Sequence, residues 1–242
     1  MKNKKKINNK SIVTMAIIIC SIMGLISLYK IINWYSDTKE VREIKENLSK
    51  YVKPKDTTYE IDFKKLKEQN NSVVAYLKVN DTNIDYVVVQ GNDNDYYLHH
   101  DFNKNPNIAG WVFASYQNKI DGTDKNIVIF GHNMRDASMF GSLKNILNKK
   151  WYNNEDDRKI TLVTNQGNFI YEVFSIYQIK PEDYYIQTDF NNEKEYKKFL
   201  KTIKTRSINN FNVPINKNDN ILTLSTCASG GRERLVMHAK KI

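Results

Sequence analysis

The segment Ile221–Cys227, "ILTLSTC", places a cysteine at the end of an apolar run near the C-terminus. A short run of aliphatic and β-branched residues, bounded by turn-forming residues, predicts a buried β-strand. The only other cysteine is Cys20, which lies in a long apolar segment near the N-terminus. Cys227 is therefore the sole thiol of the predicted folded region, either as an inert packing residue or as a reactive group.

Seven further segments have the same strand-like composition, and Asn, Asp and Gly separate many of them. They cover residues 73–79, 84–90, 110–115, 126–132, 159–164, 169–179 and 234–242. Eight such strands with little helix between most of them favour a mainly β fold, a largely antiparallel barrel or sandwich. Helical spacing predicts short helices at 61–70 and 138–148 and a longer one at 191–205, before the cysteine-bearing strand.

The N-terminus has the pattern of a membrane anchor. Residues 1–10 contain five lysines and no acid, and residues 11–29 between Lys10 and Lys30 are uncharged. At about 1.5 Å per residue, this run is long enough to cross a hydrocarbon core of about 30 Å. A cleaved signal peptide is the alternative, but its apolar region usually has about 7–15 residues and ends at a small-x-small site, which is missing here. We therefore predict a retained single-pass anchor.

The position of the lysines also predicts the topology and the domain organisation. The positive-inside rule keeps the N-terminus cytoplasmic and exports the rest of the chain, so the predicted location is the cell membrane. The predicted parts are a cytoplasmic segment (1–10), a transmembrane anchor (11–29), a juxtamembrane helix and linker (30–56) and an extracellular domain (57–242). In the juxtamembrane helix, Val41, Ile44 and Leu48 recur at helical spacing.

The net charge of +10 does not indicate a nucleic-acid partner. Five of the positive charges lie in residues 1–10, where they determine topology. The remaining lysines are scattered, as in residues 192–206, and are typical of solvated helix faces rather than a basic groove with interleaved aromatic residues. We predict no nucleic-acid binding.

Two of the predicted strands end on side chains that could act together. The segment "NIVIFGH" ends at His132, and "ILTLSTC" ends at Cys227. A thiolate is a strong nucleophile toward acyl carbonyls, but it needs an electropositive neighbour and a proton donor for the leaving amine. His132 could serve both needs if the two strands are neighbours, whereas a lone turn histidine without a role is the bland alternative.

Acyl transfer also requires a group that stabilises the developing oxyanion. Arg232 and Arg234 follow Cys227 after a loop containing Gly230 and Gly231, so a hairpin would return either arginine beside the cysteine. The two arginines are two residues apart and share one face of an extended strand, so periodicity does not separate them. Either could instead be a solvated surface residue.

Several short motifs in order make the chain resemble the sortases. They are "TLSTC", a loop, an arginine and "LVMHAKKI" at the C-terminus, with "FGHNM" about 95 residues upstream and an N-terminal anchor. The segments "IDYVVVQGNDNDYYLHHDF" and "SMFGSLKNI" resemble class B sortases in particular. The likeness covers residues 57–242.

This resemblance implies a closed eight-stranded β-barrel with N-terminal helices and a helix before the cysteine-bearing strand. It implies Cys227 as the nucleophile and His132 as the general acid/base. Arg234 is the implied substrate-orienting and oxyanion-stabilising group, since the family's arginine directly precedes an apolar strand. The implied substrate-binding residues are Leu98, Tyr185, Ile186, Ser225 and Thr226.

The resemblance also implies the reaction and the partners of a membrane-anchored cysteine transpeptidase. Such an enzyme cleaves an Asn-Pro-x-Thr-type sorting signal on secreted proteins through a thioester, and a peptidoglycan precursor amine accepts the acyl group. From the residues alone, a papain-like cysteine hydrolase and a non-enzymatic surface-anchored binding domain are alternatives. The order of residues disfavours the papain type, because those enzymes carry the cysteine before the histidine.

No cofactor and no metal site are predicted. His99, His100 and Asp101 are adjacent, but successive side chains on an extended segment point apart, and no further ligand has metal-site spacing. His238 falls within the last predicted strand, where we expect a packed or edge histidine.

Overall fold

The computed structural model describes residues 9–56 and 58–242. The predicted cytoplasmic segment 1–10 lies almost entirely outside the described residues, as does Thr57, the predicted start of the extracellular domain. The chain divides into two compact units, residues 1–40 and 41–242. The four predicted parts of the chain stay a prediction.

The described part of the first unit is helical. Helix α1 (Asn9–Ser49) begins there and continues past the boundary between the units. Its apolar side chains from Ile12 to Ile32 are more than half exposed, and an 18-residue window reaches a mean hydropathy of 2.4. Length and composition therefore make α1 a possible membrane span, the only such helix among the described residues.

The second unit is built around a closed barrel of eight strands. In chain order the strands are β3 (Val73–Val79), β4 (Asp85–Gln90), β5 (Phe113–Ala114), β6 (Asn126–Phe130), β7 (Lys159–Thr164), β8 (Gly167–Ile179), β9 (Ile221–Ala228) and β10 (Glu233–Lys241). Around the barrel the order is β10-β8-β7-β3-β4-β5-β6-β9, and β9 pairs with β10 to close it. All eight strands coincide with strand-like segments of the sequence, and the predicted closed eight-stranded barrel is confirmed.

Two of the eight strand pairs are parallel, and the other six are antiparallel. β4 pairs with β5 in parallel, and β6 pairs with β9 in parallel, from Asn126 opposite Ile221 to Phe130 opposite Ser225. Parallel neighbours need a crossover, and the long chain from β6 to β9 supplies it with two strands and a helix. The composition predicted the strands, but pairing across the barrel decided their direction.

The segment before the barrel differs in part from the sequence prediction. The end of α1 buries Val41, Ile44 and Leu48, as their helical spacing predicts. Residues 52–56, predicted as linker, instead form β1 (Val52–Lys55), which pairs with β2 (Thr58–Ile61) in a separate two-stranded sheet. A proline is tolerated there because β1 is an edge strand with no second partner.

The remaining helices lie outside the barrel wall. They are α2 (Phe63–Gln69), α3 (Tyr96–His99), α4 (Lys149–Asn153) and α5 (Glu193–Thr205), with 3₁₀ turns at Gly141–Leu147, Tyr184–Ile186 and Ser229–Gly231. α5 begins at the cap residue Asn192, whose side chain accepts a hydrogen bond from the Glu195 amide, and it buries Tyr196, Phe199, Leu200 and Ile203. The helix predicted at 138–148 is a 3₁₀ segment, and the one predicted at 191–205 is α5.

Candidate active site

The parallel pairing of β6 and β9 brings His132 and Cys227 to one rim of the barrel. Phe130 at the end of β6 lies opposite Ser225 on β9, so His132 and Cys227 each follow this pair by two residues. Both side chains are partly exposed, unlike most residues of these strands. A pair separated by 95 positions in the sequence thus meets on a rigid scaffold.

The hairpin between β9 and β10 brings Arg234 to the same place. Arg234 is the direct antiparallel partner of Cys227. The turn between them contains Gly230 and Gly231 with φ of 68° and 90°, a backbone region that favours glycine. Arg232 lies in this turn, outside the strand, and is exposed. Strand register therefore separates the two arginines that periodicity left open.

The guanidinium of Arg234 is held by the turn itself. Its Nη1 donates to the carbonyl oxygens of Gly231 at 3.1 Å and Glu233 at 3.2 Å. Arg234 forms no ion pair with a carboxylate within 4.0 Å in the parts of the chain that the structure describes, residues 9–56 and 58–242. A cation beside the thiol with no acidic partner can stabilise negative charge that develops there.

A main-chain carbonyl orients the ring of His132. Nε2 lies 2.8 Å from the carbonyl oxygen of Leu98, and because a carbonyl only accepts, Nε2 carries the hydrogen in this contact. In the neutral ring Nδ1 is then the unprotonated nitrogen, the one that can take up a proton. Leu98, predicted as a groove residue, thus also fixes the histidine through its backbone.

Two hydrogen bonds tie the ends of β6 and β9 together beside the thiol. The Asn133 side chain donates from Nδ2 to the Cys227 carbonyl at 2.8 Å, and the Thr226 hydroxyl donates to the Gly131 carbonyl at 2.7 Å. Gly131 is needed because a Cβ there would lie 2.8 Å from the ring of Phe140. These contacts limit relative movement of the cysteine and the histidine.

All eight site residues predicted from the sequence line one open groove of about 280 Å³. They are Leu98, His132, Tyr185, Ile186, Ser225, Thr226, Cys227 and Arg234. The sequence prediction missed seven other lining residues, which are Asn94, Phe113, Phe130, Gly131, Pro181, Glu182 and Asp183. Most of the missed residues directly adjoin predicted ones, so a search of the flanking positions was the only signal for them.

The groove wall opposite the barrel rim is the 3₁₀ turn Tyr184–Ile186. The Tyr185 hydroxyl lies 3.2 Å from the Ser225 hydroxyl, two residues before the thiol. Burial raises the pKa of Tyr185, and the hydrogen bond with Ser225 opposes that rise. Tyr185 therefore stays a neutral hydrogen-bonding group that joins the turn to β9.

The other histidines of the sequence have different surroundings. His99 is exposed and lies 3.8 Å from Asp95, and His100 stacks on the ring of Tyr96. His238 is fully buried. Across residues 9–56 and 58–242, no three His, Cys, Asp or Glu side chains form a group able to hold a metal ion.

Comparison with known proteins places this geometry in a family. A family model described as "Sortase domain" matches residues 77–242. The sortase B of Listeria monocytogenes is 36% identical over 166 residues, 69% of this chain and 67% of the relative. A sortase B structure from B. anthracis matches with a TM-score of 0.76 at 33% identity, covering 86% of this chain and 99% of its own. The sortase B–substrate complex from Staphylococcus aureus matches with a TM-score of 0.70 at 29% identity, covering 89% and 97%.

Proposed function

The chain belongs to the sortase family and is most like the class B sortases, and from this premise we propose how its groove performs a transpeptidation. A cysteine transpeptidase is the activity of the family, so the papain-like and non-enzymatic alternatives are set aside. The roles of individual residues, the sorting signal and the membrane anchoring are the content of the proposal.

One observation carries the proposal. The parallel pair β6–β9 and the antiparallel pair β9–β10 put a partly exposed thiol, a histidine and an arginine around one groove. Cys227 is the only cysteine after residue 20, so no other thiol of the barrel can replace it. These are the three groups that thiol-dependent acyl transfer needs, namely a nucleophile, a proton carrier and a cation for the oxyanion.

In the first half-reaction, the Cys227 thiolate attacks the threonyl carbonyl of the sorting signal. The S–C bond forms as the carbonyl oxygen gains negative charge, which the Arg234 guanidinium stabilises. The C–N bond then breaks, and protonated His132 gives its proton to the departing amine. The product is a thioester between Cys227 and the threonyl residue.

In the second half-reaction, an amine attacks the thioester carbonyl. His132, now neutral, takes the proton that the amine loses as the new C–N bond forms. The C–S bond breaks and returns the thiolate of Cys227, with Arg234 again stabilising the oxyanion. The enzyme is left as it started, and the acyl group is joined to the acceptor.

The proposed substrate is a secreted protein with an Asn-Pro-x-Thr-type signal, and the proposed acceptor is an amine of a peptidoglycan precursor. Support comes from the likeness to class B sortases, one of which, from S. aureus, has been solved with a substrate and with triglycine. The groove offers Leu98 and Ile186 as apolar contacts and Tyr185, Ser225 and Thr226 as hydroxyl groups. We propose these five residues as the substrate-binding set.

We further propose that α1 anchors the enzyme in the cell membrane with the catalytic domain outside. The exposed apolar residues of α1 and the lysines that precede them support this topology. Membrane fractionation followed by protease treatment of intact cells tests it. Loss of the barrel to protease outside the cells is expected, and a secreted form cut within residues 24–35 would indicate a signal peptide instead.

The decisive test of the reaction is mass spectrometry of the full chain with candidate signal peptides. An adduct on Cys227 equal to the peptide up to its threonine is expected, and an added amine such as triglycine should convert it to a peptide product. An adduct that only water releases would indicate hydrolysis rather than transfer. No adduct with any threonine-containing signal would contradict the proposed function.

A further inference from the structure

A chain of hydrogen bonds passes through the barrel wall beneath α5, away from the thiol. The Tyr177 hydroxyl on β8 lies 2.7 Å from Nε2 of His238 on β10. Nδ1 of His238 lies 2.8 Å from the Thr223 hydroxyl on β9, which donates to Oδ1 of Asn126 on β6 at 2.6 Å. His238 and Thr223 have no exposed surface, and Tyr177 is only 2% exposed.

The chain begins and ends on the same short segment. The Tyr184 hydroxyl donates to the Tyr177 hydroxyl at 2.8 Å. At the other end, Nδ2 of Asn126 donates to the carbonyl oxygens of Tyr185 at 3.1 Å and Gln187 at 2.8 Å. Side chains of four different strands thus hold the 3₁₀ turn Tyr184–Ile186 and the residue after it.

The directions of these hydrogen bonds leave one arrangement of protons. Two carbonyls fix Nδ2 of Asn126 as the donor, so its Oδ1 must accept the only proton of the Thr223 hydroxyl. Thr223 must then accept from Nδ1–H of His238, and Nε2 must accept from Tyr177. Every group has its partner, which is the condition under which a buried polar network makes one conformation unique.

The held segment is a wall of the proposed active-site groove. Tyr185 and Ile186 line the groove, and Tyr185 contacts Ser225 near the thiol. Tyr185 also packs with Tyr177 and Val236 in one buried cluster, against which Tyr184 and Ile186 lie. The turn therefore depends on the barrel wall for its position, while the substrate would contact its other side.

We propose that Tyr177, His238, Thr223 and Asn126 are positioning residues that fix the groove wall Tyr184–Ile186 and thereby set the affinity for the sorting signal. None of the four lines the groove, so they act through the turn and not on the reacting atoms. The proposal rests on the proposed function, because affinity refers to the peptide whose threonyl carbonyl Cys227 attacks.

The test is the substitution Thr223→Val in the full chain, solubilised in detergent. Valine has nearly the shape of threonine, so the change removes the middle hydroxyl of the chain and leaves β9 filled. KM for a signal peptide should rise about tenfold, the factor for about 1.4 kcal/mol and the upper range for one hydrogen bond. kcat should stay within about twofold, since the lost interaction affects ground state and transition state equally.

Two further variants separate positioning from a general loss of stability. Thr223→Ser restores the hydroxyl and should return KM toward the wild-type value. Ser175→Ala removes another fully buried hydroxyl, on the residue that pairs with His238 across the strands, whose bond goes to the Ile203 carbonyl in α5. This control should lower stability without raising KM. An equal rise in KM for Ser175→Ala, or none for Thr223→Val, would overturn the proposal.

Hydrogen exchange supplies a readout that does not depend on catalysis. In Thr223→Val, the amides of residues 184–187 should exchange at least about tenfold faster than in the wild type, and in Ser175→Ala they should not. If the wild-type chain processes no signal peptide, the proposed function fails while this measurement still stands. Unchanged exchange in Thr223→Val would refute the positioning role itself.

Discussion

His132 and His238 are the same residue type on one barrel, and their surroundings give them opposite chemistry. His132 sits at the rim, partly exposed, with one nitrogen bonded to the Leu98 carbonyl and Nδ1 without a hydrogen bond among the described residues. His238 is fully buried with both nitrogens bonded, and burial lowers its pKa to about 3. The first ring can exchange a proton during a reaction, whereas the second serves as a fixed hydrogen-bonding bridge.

The comparison teaches that a histidine's role follows from which of its nitrogens the fold leaves unbonded. A proton carrier needs a nitrogen that faces the reacting groups and a ring that water or substrate can reach. A structural bridge needs both nitrogens occupied and the charged form excluded. The predictions below change one side of this contrast at a time.

The largest effect should come from removing the nucleophile that His132 serves. Cys227→Ala should abolish the thioester adduct, because the chain has no other cysteine outside α1. Intact-protein mass spectrometry with signal peptide checks this. The matched control is Cys20→Ala, which should keep the wild-type adduct; an adduct on Cys227→Ala would mean that a different group is acylated.

Replacing the rim histidine should separate turnover from stability. His132→Ala should lower turnover by about 10²–10⁴-fold, the usual contribution of a positioned acid/base, since both proton transfers depend on it. Its midpoint of urea unfolding should stay near that of the wild type, because the ring makes one side-chain hydrogen bond at the partly exposed rim. Unchanged turnover would assign the proton transfers to another group.

The two arginines of the turn provide a paired test of strand register. Arg234→Ala should slow acylation by about 10²–10³-fold, the scale for losing one oxyanion donor. Arg232→Ala should change the rate by less than about tenfold, or about 1.4 kcal/mol of barrier, because that side chain is exposed and outside the strand. Single-turnover kinetics measures both. Exchanged phenotypes would show that Arg232 is the group that acts on the substrate.

The buried histidine should appear in stability, as a dependence on pH. In the unfolded chain His238 titrates near its ordinary pKa of 6.5, and in the folded chain near about 3, so between these values the unfolded state binds more protons. The free energy of unfolding should therefore fall as pH decreases from about 6.5, by up to about 1.4 kcal/mol per pH unit. Above about pH 6.5 this contribution is constant.

Urea unfolding of wild type and His238→Gln between pH 4.5 and 7.5 measures this component. The difference in stability between the two proteins should shrink as pH falls, because the variant has no proton to bind at this position. His99→Gln is the control, since that ring is exposed and should leave the slope unchanged. A difference that does not vary with pH would mean that His238 does not titrate between the two states.

Local patterns in the sequence predicted much of this protein because they reflect local physics. Alternating and β-branched runs predicted all eight barrel strands, since side chains that alternate along a strand need one buried face. The charge-free run between Lys10 and Lys30 predicted a helix that could span a membrane. Strand ends indicated His132 and Cys227, and motif order indicated the family.

The tertiary structure decided what depends on partners far apart in the chain. The parallel pairing of β6 with β9 and the register of Arg234 opposite Cys227 arise only when the barrel closes. The Leu98 carbonyl reaches His132 across 34 positions, and Thr223 reaches Asn126 across 97. Composition and periodicity describe one segment at a time, so they could not show which carbonyl orients the catalytic ring or that His238 bridges two strands. Those facts follow from strand pairing, because hydrogen bonds across a closed barrel join residues that no local pattern relates.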